Sequence, residues 1–161
     1  YKELRNLLKK RDELSFVLKG GDWGMGCNSI HFIDLVEWLT ASKIFEISID
    51  ELDPIILESK RKGFMEFTGK LKVSYTGKNK LDLISDVKIN QAPELQITGK
   101  GFKACINESK GTLLIEKENE SNLQEFKIPY QSELSNIIAE DILIRSAIIG
   151  YSQLKMKFQW N

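Results

Sequence analysis

The sequence predicts an α+β fold: a two-layer, open, largely antiparallel β-sheet with its helices packed on one face. Three observations lead there. Apolar residues recur at helical spacing near both ends of the chain, whereas the long middle consists of short apolar runs separated by glycine and asparagine. No fixed-period repeat or low-complexity tract interrupts that order. Helices segregated from a run of strands are the mark of α+β layering rather than of alternating βα units.

The first element is a short amphipathic helix over residues 1–10, in which Leu4, Leu7 and Leu8 share a face and the basic residues gather toward its C-terminal end. From Glu13 to Lys19 the apolar, partly β-branched run Leu14, Phe16, Val17, Leu18 reads as a strand that Gly20 and Gly21 stop. Asn28 or Ser29 can cap the next helix, whose apolar face is Ile30, Ile33, Leu35, Val36, Trp38 and Leu39 up to Thr40 and Ala41. Lys43 to Asp50 alternates with the period of a half-buried strand, and Asp53 with Pro54 is expected to break it.

Further strands are expected around Phe64 to Tyr75 and Leu81 to Ile89, divided by Gly63, Gly69, Gly77 and Asn79. Others follow over Glu94 to Thr98, Phe102 to Asn107, Thr112 to Glu116 and Leu123 to Ile128. A last helix opens at Ser132 and Glu133, carries the stripe Leu134, Ile137, Ile138, Ile142, Leu143 and Ala147, and ends at Gly150.

A chain of 161 residues with 42% hydrophobic content can bury one core without disulfides or metal, so residues 1–161 are expected to form a single domain. Lysine plus arginine equals aspartate plus glutamate at 23 each. No overall field draws such a chain to nucleic acid or to an anionic membrane, and a small neutral ligand suits it better. Cys27 and Cys105 lie far apart, outside any CxxC or Cys/His ligand spacing, which is the pattern of free thiols in a reducing cytoplasm. No apolar run approaches the roughly 18 residues of a membrane span, and no signal-peptide core follows the charged start, so a cytoplasmic protein is expected. The chain opens at Tyr1 and stops after Trp160 and Asn161, which suits an excised fragment as well as a whole gene product.

The densest run of unusual residues is Gly20 to Asp34, with four glycines in the seven positions from Gly20 to Gly26. Glycine permits positive φ and close backbone approach to a ligand. His31, the single histidine, is expected on the first turn of the second helix, with Asp34 three residues on and on the same side. The helix dipole there favours a neutral imidazole able to act on a hydroxyl. A histidine beside a carboxylate can equally be a side chain that simply ties helix to loop. Trp23, an aromatic among glycines in a turn, is expected at a pocket wall, whereas Trp38 is assigned to packing.

A strand, then Gly24-Met25-Gly26-Cys27-Asn28-Ser29, then a helix and a strand ending at Asp50, imitates a dinucleotide fingerprint. Ser29 replaces the third glycine, extra residues including Trp23 separate strand from glycine, and no further βα units follow, so this reading ranks low. Lys60, Arg61 and Lys62 read as a solvated basic turn, with contact to a phosphate or an upstream cofactor as the alternative, Glu116 to Glu120 as surface, and Glu140 with Asp141 as a solvated helix face. One histidine leaves too few partners for a Ser/His/Asp set or a metal site.

The stretch Ile30-His31-Phe32-Ile33-Asp34-Leu35, entered through Gly-Gly and a turn, resembles the C-terminal domain of Gfo/Idh/MocA oxidoreductases, where an Asp-x-Gly-x-His-x-x-Asp-Leu pattern opens a helix. The order of elements is similar over most of the chain, and the motif covers about Gly20 to Leu39. The resemblance implies an open, mostly antiparallel sheet whose helices face a Rossmann half and whose uncovered face makes contacts in a homo-oligomer. It implies a sugar or nucleotide-sugar substrate, and NAD or NADP bound mainly by an N-terminal domain absent from these residues, so that the fragment alone is inactive. His31 matches the residue that assists proton transfer at the sugar hydroxyl; Asp34 matches the later acid, and Trp23 and Asn28 fall around the substrate. Cys27 stands where the motif has its first acid and Ser29 where it has glycine. A thiol relays protons poorly at neutral pH, so Asn28 is the candidate for hydrogen bonding in its place, and a non-catalytic binding or scaffold domain that keeps the fold is the alternative.

Overall fold

The computed structural model describes residues 1–9, 11–59, 62–117 and 120–126, all within a compact unit that runs from Tyr1 to Phe126. Two helices, α1 (Lys2–Leu8) and α2 (Met25–Thr40), lie among eight strands. The strands are β1 (Ser15–Gly20), β2 (Ile44–Glu58), β3 (Met65–Tyr75), β4 (Lys80–Ser85), β5 (Glu94–Gly99), β6 (Phe102–Asn107), β7 (Thr112–Lys117) and β8 (Glu120–Glu125). They form one sheet in the order β2-β3-β4-β1-β5-β6-β7-β8. Every neighbouring pair is antiparallel except β1 with β4. That parallel pair is where the chain leaves the sheet through α2 and returns, as a parallel connection requires.

Period-two alternation builds the core. Phe16 and Leu18 of β1, Leu81 and Leu83 of β4, Val73 and Tyr75 of β3, and Leu95 and Ile97 of β5 are all buried. Register puts Phe16 beside Leu81 and Ile97, and Leu83 beside Leu71, so these side chains share one face. Leu4 and Leu8 of α1 and Ile33, Val36 and Leu39 of α2 belong to the same buried cluster. Arg5 joins the helices by donating from Nε to the Trp38 carbonyl at 2.8 Å, with its guanidinium over the indole. Lysines and carboxylates occupy intervening positions of β2 to β4, where Lys70 meets Asp82 at 2.7 Å and Lys72 pairs with Glu51. Such partly exposed pairs add little stability and mark a wetted sheet surface.

Four expectations are corrected. Helix α2 begins at Met25, capped by Gly24 in the left-handed conformation (φ 73°), rather than at Asn28 or Ser29. His31 is therefore one turn deeper than the sequence suggests, beyond the reach of the N-terminal dipole. Pro54 does not end β2: it lies in an edge strand, inside a register shift between Leu52 and Ile56, where a missing N–H costs no ladder bond. Gly69 likewise sits within β3, at φ 100°, facing Leu52 at that irregularity. Strand β4 stops at Ser85 because Asp86 turns the chain, its Oδ1 accepting the Lys88 N–H at 2.9 Å and its carbonyl the Ile89 N–H at 2.9 Å. Strand β8 ends at Glu125, and the remainder of the expected segment at 127–128 lies outside the described residues, as does the expected helix from Ser132 to Gly150.

Candidate functional site

The turn between β1 and α2 is built by close backbone packing. A side chain at Gly20 or Gly21 would run into the loop carrying Ile89 and Pro93, so this glycine pair approaches the protein's own chain. Trp23 follows, its indole N–H donating to the Ile84 carbonyl at 3.0 Å and its ring meeting Phe32 edge-on at 5.7 Å. The Asn28 amide donates to the carbonyls of Trp23 (2.9 Å) and Gly24 (3.0 Å), closing the first turn of α2 onto the chain before it.

Across from this turn stands the β2–β3 hairpin. Glu66 of β3 is only 7% exposed, and its Oε2 accepts the Gly26 N–H at 2.6 Å. A Cβ on Gly26 would lie 2.9 Å from that oxygen, and one on Gly24 would lie 3.3 Å from Oε1. Both glycines thus leave room for a carboxylate at the point where a helix N-terminus attracts negative charge. Between turn and hairpin runs a groove of 250 Å³, walled on one side by Asp22, Trp23, Gly24, Cys27 and Asn28 and on the other by Leu57, Glu58, Ser59 and Glu66.

Of the residues singled out from the sequence, Trp23 and Asn28 line this groove, and so does Cys27. His31 and Asp34 do not: both are exposed on α2, His31 one helical turn beyond Cys27 along the same face. The imidazole is open to solvent rather than sealed in packing. Glu66, Glu58 and Ser59 escaped the sequence reading. Glu66 offered one signal, a carboxylate inside the apolar run Phe64-Met65-Glu66-Phe67, but its partner lies forty residues earlier. Under the middle of α2, at the other end of β3 from Glu66, burial pushes the Tyr75 hydroxyl well above the phenol range, with the charges of Glu37 and Asp34 reinforcing it; the group stays a neutral donor to the Ile33 carbonyl at 3.2 Å.

The Gly24–Gly26 turn does not fit a dinucleotide. Where a pyrophosphate would rest on the N–H groups of the helix, the Glu66 carboxylate already accepts from Gly26, and a second anion there would face it directly. Among the described residues no group of histidine, cysteine and acidic side chains is arranged to hold a metal ion. Neither Cys27 nor Cys105 is in a disulfide. No helix of the described residues is long and apolar enough to cross a membrane.

No family model matches the sequence, and no curated protein matches it. Solved structures do match in fold. A UDP-N-acetylglucosamine 3-dehydrogenase from Acidithiobacillus ferrooxidans is 14% identical, with a TM-score of 0.59 over 91% of this chain and 48% of its own. A dehydrogenase from Clostridium difficile is 19% identical, with a TM-score of 0.51 over 79% of this chain and 42% of its own. An oxidoreductase domain protein from Kribbella flavida is 10% identical, with a TM-score of 0.50 over 78% of this chain and 44% of its own. The chain thus spans less than half the length of each of these proteins, and the likeness is one of fold. With part of these oxidoreductases it shares the α+β open-sheet fold that a resemblance to the Gfo/Idh/MocA type implies.

Proposed function

We propose that this chain is the substrate-binding and oligomerisation part of an NAD(P)-dependent oxidoreductase acting on a sugar or nucleotide-sugar hydroxyl. One observation carries the reading: in a fold shared with dehydrogenases, α2 rises from a packed glycine turn beside an aromatic-walled groove and holds the exposed His31 one turn above it. Trp23 supplies an apolar wall of the kind a sugar ring packs against, and the hairpin supplies hydrogen-bond acceptors. His31 would take or return the hydroxyl proton, with Asp34 three residues along the same face to orient it. NAD or NADP would be bound by a separate domain, because the Glu66 carboxylate takes up the Gly24–Gly26 turn where a pyrophosphate would rest. Contacts between copies would form through the open sheet face, in a cytoplasmic protein.

The test uses the complete protein with its cofactor domain and a panel of sugars and nucleotide-sugars that includes UDP-N-acetylglucosamine. Replacing His31 with Ala should lower turnover by roughly 10²-fold and leave cofactor affinity near normal. Unchanged turnover removes His31 from the mechanism. The alternative, a non-catalytic binding domain, is favoured by Cys27 lining the groove where the family motif has an acid. Absence of cofactor reduction across the panel, with sugar binding retained, would select it.

A further inference from the structure

The groove already contains its own anion. Glu66 is more than nine-tenths buried, yet its carboxylate reaches the groove wall, held there by the Gly26 N–H at 2.6 Å. Two glycines, at 24 and 26, are shaped around it. A carboxylate has about four acceptor positions, so the bond to Gly26 leaves capacity for further hydrogens, and a hydroxyl is the donor that a groove of this size would bring. Among the described residues lining the groove, Glu58 adds a second carboxylate on the same hairpin.

We propose that Glu66 sets the substrate class of this groove: its anchored carboxylate accepts the hydroxyl hydrogens of an uncharged sugar ring and turns away a ring that carries its own carboxylate or phosphate. Trp23 provides the complementary apolar wall. The assignment rests on the sugar-oxidoreductase reading for the kind of molecule bound, but not on any redox step. For a nucleotide-sugar it places the uncharged ring in the groove and the diphosphate outside it, because like charge at short range is costly in a half-enclosed site.

The experiment titrates the full chain with N-acetylglucosamine and, separately, with glucuronic acid, following the Trp23 indole N–H and the Gly26 amide by NMR. The neutral sugar should shift both signals and bind at least about tenfold more tightly than the uronic acid. Glu66→Gln keeps a carbonyl oxygen for Gly26 and loses the charge, so it should fold normally and narrow that ratio several-fold. Equal binding of the two sugars, an unaltered ratio in Glu66→Gln, or signals that move with neither sugar would each overturn the assignment. A complete enzyme that oxidises acidic sugars would end this inference and leave the redox reading standing. Neutral-sugar selectivity without any turnover would do the reverse.

Discussion

Glu66 and Gly26, forty residues apart, form the contact on which the candidate site is built: a strand carboxylate accepts the second N–H of a helix at 2.6 Å. The bond explains why α2 can start in a sequence as unpromising as Gly-Met-Gly-Cys, with no side-chain cap at Gly24. The negative charge meets the positive end of the helix, and the chain supplies it from another element.

Gly26→Ala should therefore be destabilising although the same change in an ordinary helix gains about 1 kcal/mol. The new methyl would lie 2.9 Å from Glu66 Oε2, 3.1 Å from the Met65 carbonyl and 3.3 Å from the Phe67 ring. A net loss of about 1–2 kcal/mol is expected in urea unfolding. Glu66→Ala, which leaves the helix N–H without its anion, should cost a similar amount. Because the two residues touch, the double variant should be less destabilised than the sum of the singles by at least about 0.5 kcal/mol. Strict additivity would mean that the carboxylate does not shape this turn.

The layered fold was legible in the sequence because alternation in Phe16/Leu18, Leu81/Leu83 and Leu95/Ile97 reports directly which face is buried. The start of α2 was not, because glycines at 24 and 26 argue locally against helix and the stabilising group is on β3. Pro54 misled for the opposite reason, since proline forbids only a central strand and nothing local says that β2 is an edge. The candidate site divided in the same way. Trp23 and Asn28 stand on the turn that the glycines announce, whereas Glu58, Ser59 and Glu66 enter through a hairpin whose placement depends on the whole sheet.

The histidine and the asparagine next to the groove should behave differently when removed. His31 is exposed, so His31→Ala should leave unfolding free energy within about 0.5 kcal/mol of the parent chain. Asn28→Ala deletes two donors to the Trp23 and Gly24 carbonyls and should cost about 1–2 kcal/mol. If His31→Ala unfolded the chain, its effect on turnover would say nothing about proton transfer; a neutral Asn28→Ala would show that the turn holds without its amide.

Cys105 gives the chain an alkaline limit. Burial, and after it the hydrogen bond and charge of Glu94, push its thiol up from 9.0 to about 11. The folded state therefore keeps a proton that the unfolded state releases. The associated stability is fully present below about pH 9 and is lost as pH rises through 11. Chemical unfolding at several pH values should show this decline, and Cys105→Ala should flatten it. At pH 8 the folded chain should also alkylate at Cys105 about a hundredfold more slowly than an ordinary free thiol, because far less thiolate is present. Alkylation at the ordinary rate would contradict the raised value.

Tyr75 ties the sheet to the helix that carries the candidate site. Its ring is fully buried at the end of β3, and its hydroxyl donates to the carbonyl of Ile33 in the middle of α2 at 3.2 Å. Mid-helix carbonyls already accept an N–H from four residues on, here Glu37, so the tyrosine adds a second hydrogen to an oxygen with two lone pairs. Tyr75→Phe removes that bond without orphaning the carbonyl and keeps the ring in place. The expected cost is about 0.5–1 kcal/mol, at the low end for a buried hydrogen bond. Tyr75→Ala should instead cost about 3–5 kcal/mol, because the ring fills the space between β3 and α2. The difference between the two, read from unfolding curves with unchanged denaturant dependence, separates packing from hydrogen bonding at this junction. A Tyr75→Phe variant as unstable as Tyr75→Ala would mean that the hydroxyl, and not the ring, fixes the height of α2 above the sheet.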